Sequence, residues 1–256
     1  MMKKLFKWEF IFYIKELKFL LIGSILLSLV YIGLNELSLS YAVLSFFSGT
    51  AYVISIIGVL SLILFTYFLI LQRYYKTMLK DEGYFTHSLP LKKYQILIYK
   101  MVTAFTVWLV VLSVGVLLLI WIKLIPMDMI KQMIEADATM LPMLSITVAS
   151  FVLTSLVMIL VFYSALSFGF SFNKSEWLYV FLYFIGYYVL NQILSVINLG
   201  INLIINPGFF ELDESNIFQS ITPLLVIQLI FILAIGVASF IITNKIMTNK
   251  LNLKNG

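Results

Sequence analysis

The chain has no cysteine, so neither disulfides nor thiolate-bound metals can contribute to its fold or chemistry. It has a single histidine, His87. That excludes an intramembrane metalloprotease built on a His-Glu-x-x-His helix, which needs two imidazoles on one face. No G-x-x-x-x-G-K-[ST] loop occurs and the 12 glycines are scattered, so any ATP used must be bound by another chain. Charge is scarce, at 11% of residues against about 25% in soluble domains. No pair of carboxylates falls inside an uncharged stretch, so chemistry that shares a proton between two buried acids has no support. His87 lies outside those stretches and reads as a connector residue, not a catalyst. The chain is expected not to be an enzyme.

What remains is hydrophobic, at 62% of residues. Phe19 to Asn35, Leu37 to Gln72, Met101 to Ile122, Ala138 to Asn173, Trp177 to Phe210 and Ser215 to Asn244 carry no Asp, Glu, Lys or Arg. A helix needs about 20 apolar residues to cross the hydrocarbon core, and a charge at mid-membrane costs about 2.5–3.5 kcal/mol on insertion scales. Six stretches that avoid this cost predict an all-α membrane protein with six spans. They are placed at about 19–34, 48–71, 97–122, 142–170, 177–204 and 220–243. One transmembrane domain over residues 1–256 is expected, with no cleaved leader. Ion-coupled carriers and voltage sensors keep charged groups at membrane depth, and these spans predict none.

The net charge of +5 raises the possibility of nucleic acid, but the placement of the charges points to topology instead. Fifteen of the 17 Lys and Arg residues would share one side. These are Lys3, Lys4, Lys7, Lys15 and Lys18, then Arg73, Lys76, Lys80, Lys92, Lys93 and Lys100, then Lys174, and finally Lys245, Lys250 and Lys254. Only Lys123 and Lys131 fall opposite, with most of the acidic residues. The positive-inside rule then puts both termini in the cytoplasm. An even number of spans requires the termini to share a side, so count and charge are consistent.

Phe6, Phe10, Tyr13, Ile14 and Leu17 recur on one helical face, with Lys4, Lys7, Lys15 and Lys18 on another arc. Residues 1–16 therefore read as an interfacial amphipathic helix or as a basic flank that sets orientation. The 72–96 connection is expected to hold a helix ending near Lys80, a break at Gly83, an extended step at Leu89-Pro90 and a second helix from about Pro90. It suits either docking of a soluble partner or a solvated connector. Residues 127–140 read as an outer loop with some helical character. Pro142 and Pro223 are read near helix starts, where a missing N–H is harmless. Phe209, Phe210, Glu211, Asp213 and Glu214, in the 207–219 loop, suit an outer cap or an exposed loop.

The polar content of the spans is neutral. Asn191, Ser195, Asn198, Asn202 and Asn206 recur at steps of four, three, four and four, which keeps them within about 80° on a helix. A carboxamide in hydrocarbon is costly unless it is hydrogen-bonded. The stripe suits interhelical packing or the lining of a wet path.

This arrangement resembles the permease subunit of a bacterial ABC transporter of the ABC-2 type. The local resemblance lies in Glu82-Gly83-Tyr84-Phe85-Thr86-His87-Ser88-Leu89-Pro90 followed by Lys92, Lys93, Ile96 and Lys100. The resemblance implies an exporter half in the cytoplasmic membrane, paired with a second permease subunit of the same or related sequence. A separate ATPase subunit would hold ATP and Mg, and this chain would hold no cofactor. Residues near 73–83 would form a coupling helix inserting into that ATPase, through Lys76, Lys80, Asp81, Glu82, Gly83 and Tyr84. Lys174, in the 171–176 turn, would form the second contact. Asn191, Ser195, Asn198 and Asn202 would line the translocation path. An apolar, aromatic path with amides would suit hydrophobic or amphipathic cargo such as antimicrobial or toxin peptides, although fold analogy does not identify cargo. The alternative is a membrane-embedded substrate-binding module of an importer. A membrane-lipid enzyme lacks a catalytic constellation here. Nucleic acid is not an expected partner.

Overall fold

The structure, a computed structural model, describes residues 2–80, 82–136, 140–172, 174–206 and 217–249. Every regular element among them is helical: α1 (Met2–Ser38), α2 (Leu44–Tyr74), a π-turn (Tyr75–Leu79), α3 (Glu82–Ser88), α4 (Lys93–Trp121), α5 (Met127–Ala136), α6 (Met140–Gly169), α7 (Glu176–Ile205) and α8 (Ile217–Asn249). Six of these are long and apolar enough to cross a bilayer, over Lys3–Ser38, Leu44–Leu79, Lys93–Trp121, Leu141–Gly169, Glu176–Ile205 and Ile221–Asn249. In lipid a helix satisfies its own backbone groups. The protein is a multi-pass, all-α membrane protein.

The residues gather in two compact units, Met1–Arg73 with Ile98–Ile130 and Tyr74–Leu97 with Lys131–Gly256.

In the first unit, the expected division of the N-terminus into an interfacial helix over 1–16 and a span from 19 is replaced by one unbroken α1. Residues 2–22 contain no glycine or proline to end a helix. One inner face, Glu9, Tyr13, Leu17, Ser24 and Ser28, is buried throughout. Part of the apolar arc assigned to the lipid interface is thus a seam against protein. The Ser28 hydroxyl turns back to Ser24 O at 2.9 Å, which satisfies it without a partner helix. Ser55 Oγ of α2 lies 3.0 Å from Leu27 O of α1 and 2.7 Å from its own Ala51 O. Close seams of small residues are how membrane helices pack without a hydrophobic drive between them.

The second unit is built on α6, which packs along both α7 and α8. A Cβ placed on Gly236 of α8 would stand 2.8 Å from Val157 Cγ2 of α6. At the turn between α6 and α7 the approach is closer still. A Cβ on Gly169 would lie 2.2 Å from Val180 Cγ2 and 2.7 Å from Glu176 O, so only glycine fits. Tyr74 stacks on Tyr163 at 3.9 Å between centroids, and its hydroxyl lies 2.7 Å from Ser167 Oγ. Pro223, expected near a helix start, lies inside α8. The loop residues Phe209, Phe210, Glu211, Asp213 and Glu214 lie outside the described residues.

Candidate functional site

Two features of the second unit collect the residues singled out from the sequence. The first is the surface formed by the π-turn, α3 and the α6–α7 turn. The α2 helix does not stop at Tyr74 but widens, and Lys80 N–H donates to Tyr75 O at 3.2 Å, five residues back. Lys80 is then extended, with φ −111° and ψ −158°, and the chain turns into α3. Its break falls at Lys80, so Gly83 sits buried in the first turn of α3 and donates to Lys80 O at 2.7 Å. The second helix starts at Lys93 instead of about Pro90.

No separate helix spans the expected 73–83 segment. Residues 73–79 continue a long helix, and the separate short helix is Glu82–Ser88. It packs on the π-turn, where Thr77, Met78 and Leu79 are buried. Lys76, Lys80, Glu82 and Tyr84 are exposed, and so is Lys174 in the other turn. Asp81 lies outside the described residues. Phe85, part of the segment that carries the resemblance but not among the expected contact residues, is 78% exposed.

Aromatic side chains join the two connections. The Tyr75 ring lies 5.0 Å from Phe170 and 5.6 Å from Trp177, and Phe170 meets Trp177 edge-on at 5.5 Å. Lys80 Nζ stands 5.4 Å from the same Tyr75 ring. The π-turn and the α6–α7 turn thus share one aromatic hub. None of these three rings was picked from sequence, because each reads there as an ordinary span-end aromatic.

His87 fastens α3 in place. Lys93 Nζ lies 2.7 Å from His87 Nδ1, and His87 Nε2 lies 3.2 Å from Met78 O. A lysine ammonium only donates, so Nδ1 accepts and Nε2–H donates to the carbonyl. The neutral ring is the form this geometry holds. Burial first, and the Lys93 charge second, push the imidazole below its ordinary pKa, against an opposing pull from Met78 O. His87 is therefore a clip across the connection.

The second feature is a pocket of about 260 Å³ between α7 and α8, lined by Asn191, Ser195, Asn198, Gln228, Phe231 and Ile235 among others. It gathers three of the four residues expected along a path. Asn202 lies outside its lining, fully buried, with Oδ1 accepting from Asn206 Nδ2 at 3.4 Å. Asn191 Nδ2 donates to Tyr187 O of its own helix at 2.9 Å. Asn198 Nδ2 donates across to Leu224 O of α8 at 3.2 Å. Packing therefore accounts for one half of the Asn198 amide. Its Oδ1, and the Nδ2 of Asn202, are buried without a hydrogen-bond partner.

The first unit holds a charged cluster that sequence reading missed. Glu9 is buried; its Oε2 accepts from Arg73 Nε at 3.1 Å, and its Oε1 accepts from Lys100 Nζ. The Arg73 guanidinium also covers the Phe12 ring at 4.3 Å. Lys100, read from sequence as part of a cytoplasmic connection, is 3% exposed.

Among the described residues no cluster of three or more His, Asp or Glu side chains forms a metal site. Comparison with family models, with curated proteins and with solved structures finds no match to this chain.

Proposed function

We propose that the chain is the transmembrane subunit of an ATP-driven exporter of the ABC-2 type. It docks a separate ATPase subunit on the cytoplasmic side, pairs with a second permease subunit and forms half of a path for hydrophobic or amphipathic cargo, such as antimicrobial or toxin peptides. The observation that carries this reading is the aromatic hub. The two connections that the resemblance assigns to ATPase contact meet at Tyr75, Phe170 and Trp177. A push on α3 and the π-turn would therefore reach α6 and α7 through packed rings and not through a loose loop. Aromatic contacts of this kind contribute about 0.5–1.5 kcal/mol each beyond burial, enough in combination to transmit a displacement. Lys76, Lys80, Glu82, Tyr84, Phe85 and Lys174 supply an exposed mix of charge and aromatic surface, the composition that suits an interface rim and its anchors.

The test is co-purification with a co-expressed ABC ATPase subunit, taken from a neighbouring reading frame where the gene has one. Lys80→Glu with Glu82→Lys, and separately Phe85→Ala, should each cut recovery of the ATPase at least tenfold while leaving the permease folded. Recovery equal to the unaltered chain in all variants would remove the docking face.

A second reading, a substrate-binding membrane module, is favoured by one observation: the buried, unpartnered Asn198 Oδ1 beside a pocket within a single chain. It predicts tight ligand binding without any ATPase.

A further inference from the structure

The amide pocket does not stand alone. A larger, apolar chamber of about 550 Å³ adjoins it, lined by Phe168, Tyr179, Tyr183, Gly186, Tyr187 and Ile235 among others. Ile235 belongs to both linings, and Leu190 of the larger one is followed directly by Asn191 of the smaller. The two form one seam between α7 and α8. Its near part is apolar and its far part carries amides and a hydroxyl.

Three properties limit the occupant. Neither lining contains an Asp, Glu, Lys, Arg or His, so an ionic head would enter with no counter-charge in a medium where a bare charge is costly. Asn198 is only 6% exposed, and its Oδ1 has no donor. The opposite amide edge is held on Leu224 O, so the acceptor faces away from that bond and cannot trade places with the donor without losing it. Two of the three tyrosine hydroxyls in the larger lining have protein contacts: Tyr183 OH accepts from Ser164 Oγ at 2.7 Å, and Tyr187 OH donates to Met158 Sδ at 3.6 Å. The larger chamber therefore offers mainly ring and aliphatic surface.

We propose that the α7–α8 seam binds an uncharged amphiphile, with its hydrocarbon tail in the Gly186 chamber and a hydroxyl or amide hydrogen of its head donated to Asn198 Oδ1. Ser195 and Gln228 complete the head site. This names the cargo class of the path described above and rests on that reading for its meaning in transport. Binding itself requires only this chain. The seam selects against cationic peptides, which narrows the cargo range.

The test uses the full chain in phosphatidylcholine nanodiscs, without the ATPase. A monoacylglycerol carrying a photoreactive group in its acyl chain is the probe, and labelled peptides are mapped by mass spectrometry. Labelling should concentrate on α7 and α8. Unlabelled monododecanoylglycerol should compete at least about tenfold better than its dimethyl ether, which keeps the shape but donates nothing; a buried acceptor left unpaired costs about that factor. Dodecyltrimethylammonium and dodecyl phosphate should compete poorly. A Cβ on Gly186 meets nothing within 4 Å, so Gly186→Leu can place its side chain into the chamber and should reduce labelling. Asn198→Leu should erase the preference for the alcohol over the ether.

Equal competition by the ether, equal or better competition by either ionic amphiphile, undiminished labelling of Gly186→Leu, or no labelling of α7 and α8 would each overturn the proposal. The two readings fail separately. Lost labelling with retained ATPase association removes the cargo class alone. Retained labelling without ATPase association removes the exporter and leaves a binding module.

Discussion

Glu9 shows how much one carboxylate can hold in a membrane protein. Two cations, Arg73 and Lys100, converge on it, and Lys100 is almost wholly buried. Removing one partner of a buried cluster strands the other, which costs more than the cluster was worth. Glu9→Gln keeps the shape and should destabilise the fold by about 3 kcal/mol. Adding Lys100→Met removes the stranded charge and should restore more than half of that loss. Denaturation of the three variants in the same micelles measures both values; a double variant no more stable than the single would refute the pairing. His87 makes a second prediction at this scale. Its folded-state pKa is depressed, so the unfolded or detached segment binds the proton more readily. The clip is fully present above the ordinary histidine value of about 6.5 and is lost as pH falls from there through the lowered folded value. Hydrogen exchange over residues 78–93, corrected for intrinsic rate, should accelerate on acidification through that range. In His87→Gln the corrected rate should be flat with pH.

Elements were legible from sequence where a large energy decides them. The cost of charge in hydrocarbon marks out each span, and six helices long enough to cross follow. Helix ends depended on smaller terms. The long α1 hid behind its mixed composition because Glu9 finds partners 64 and 91 residues away, and no local pattern signals a partner that remote. The α3 position slipped for a related reason: the π-type bond at Lys80 closes the preceding helix there, and the chain turns back into helix at Glu82, through the glycine that reads locally as a break. The asparagine stripe was visible as a 3.6-residue period, but which amide would meet another helix was not. Asn198 crosses to α8 while Asn191 folds back on its own backbone, a choice made by the neighbour. Close approach is also set by the neighbour, as two glycines show. Gly169→Ala must push against the Glu176 carbonyl and the Val180 side chain, and backbone cannot yield cheaply. It should cost about 1–3 kcal/mol, the range for overpacking. Gly186→Ala, with open space at its Cβ, should instead gain up to about 1 kcal/mol from helix propensity. Paired thermal melts decide it, and melts in the same order for both substitutions would mean that the α6–α7 turn is looser than its contacts indicate.

For the whole molecule, orientation connects the fold to the proposed function. A chain without cysteine is a clean background for single-cysteine labelling, since every signal comes from the introduced thiol. Lys80 is exposed just before α3, and Lys131 is exposed in α5. They lie at opposite ends of α4 in chain order, so a helix that crosses the bilayer must put them on different sides. By the positive-inside rule, the excess of lysine near Lys80 predicts the cytoplasm for that side. A membrane-impermeant maleimide should therefore label Lys131→Cys in intact cells and reach Lys80→Cys only after the membrane is opened. Labelling of both from outside would remove α4 as a crossing helix. Labelling of Lys80→Cys alone from outside would invert the protein. A cytoplasmic ATPase could then not meet α3 or the Tyr75 hub, so the exporter reading would fall. The α7–α8 seam would survive that result, because its linings carry no charge and its chemistry does not depend on which side of the bilayer is which.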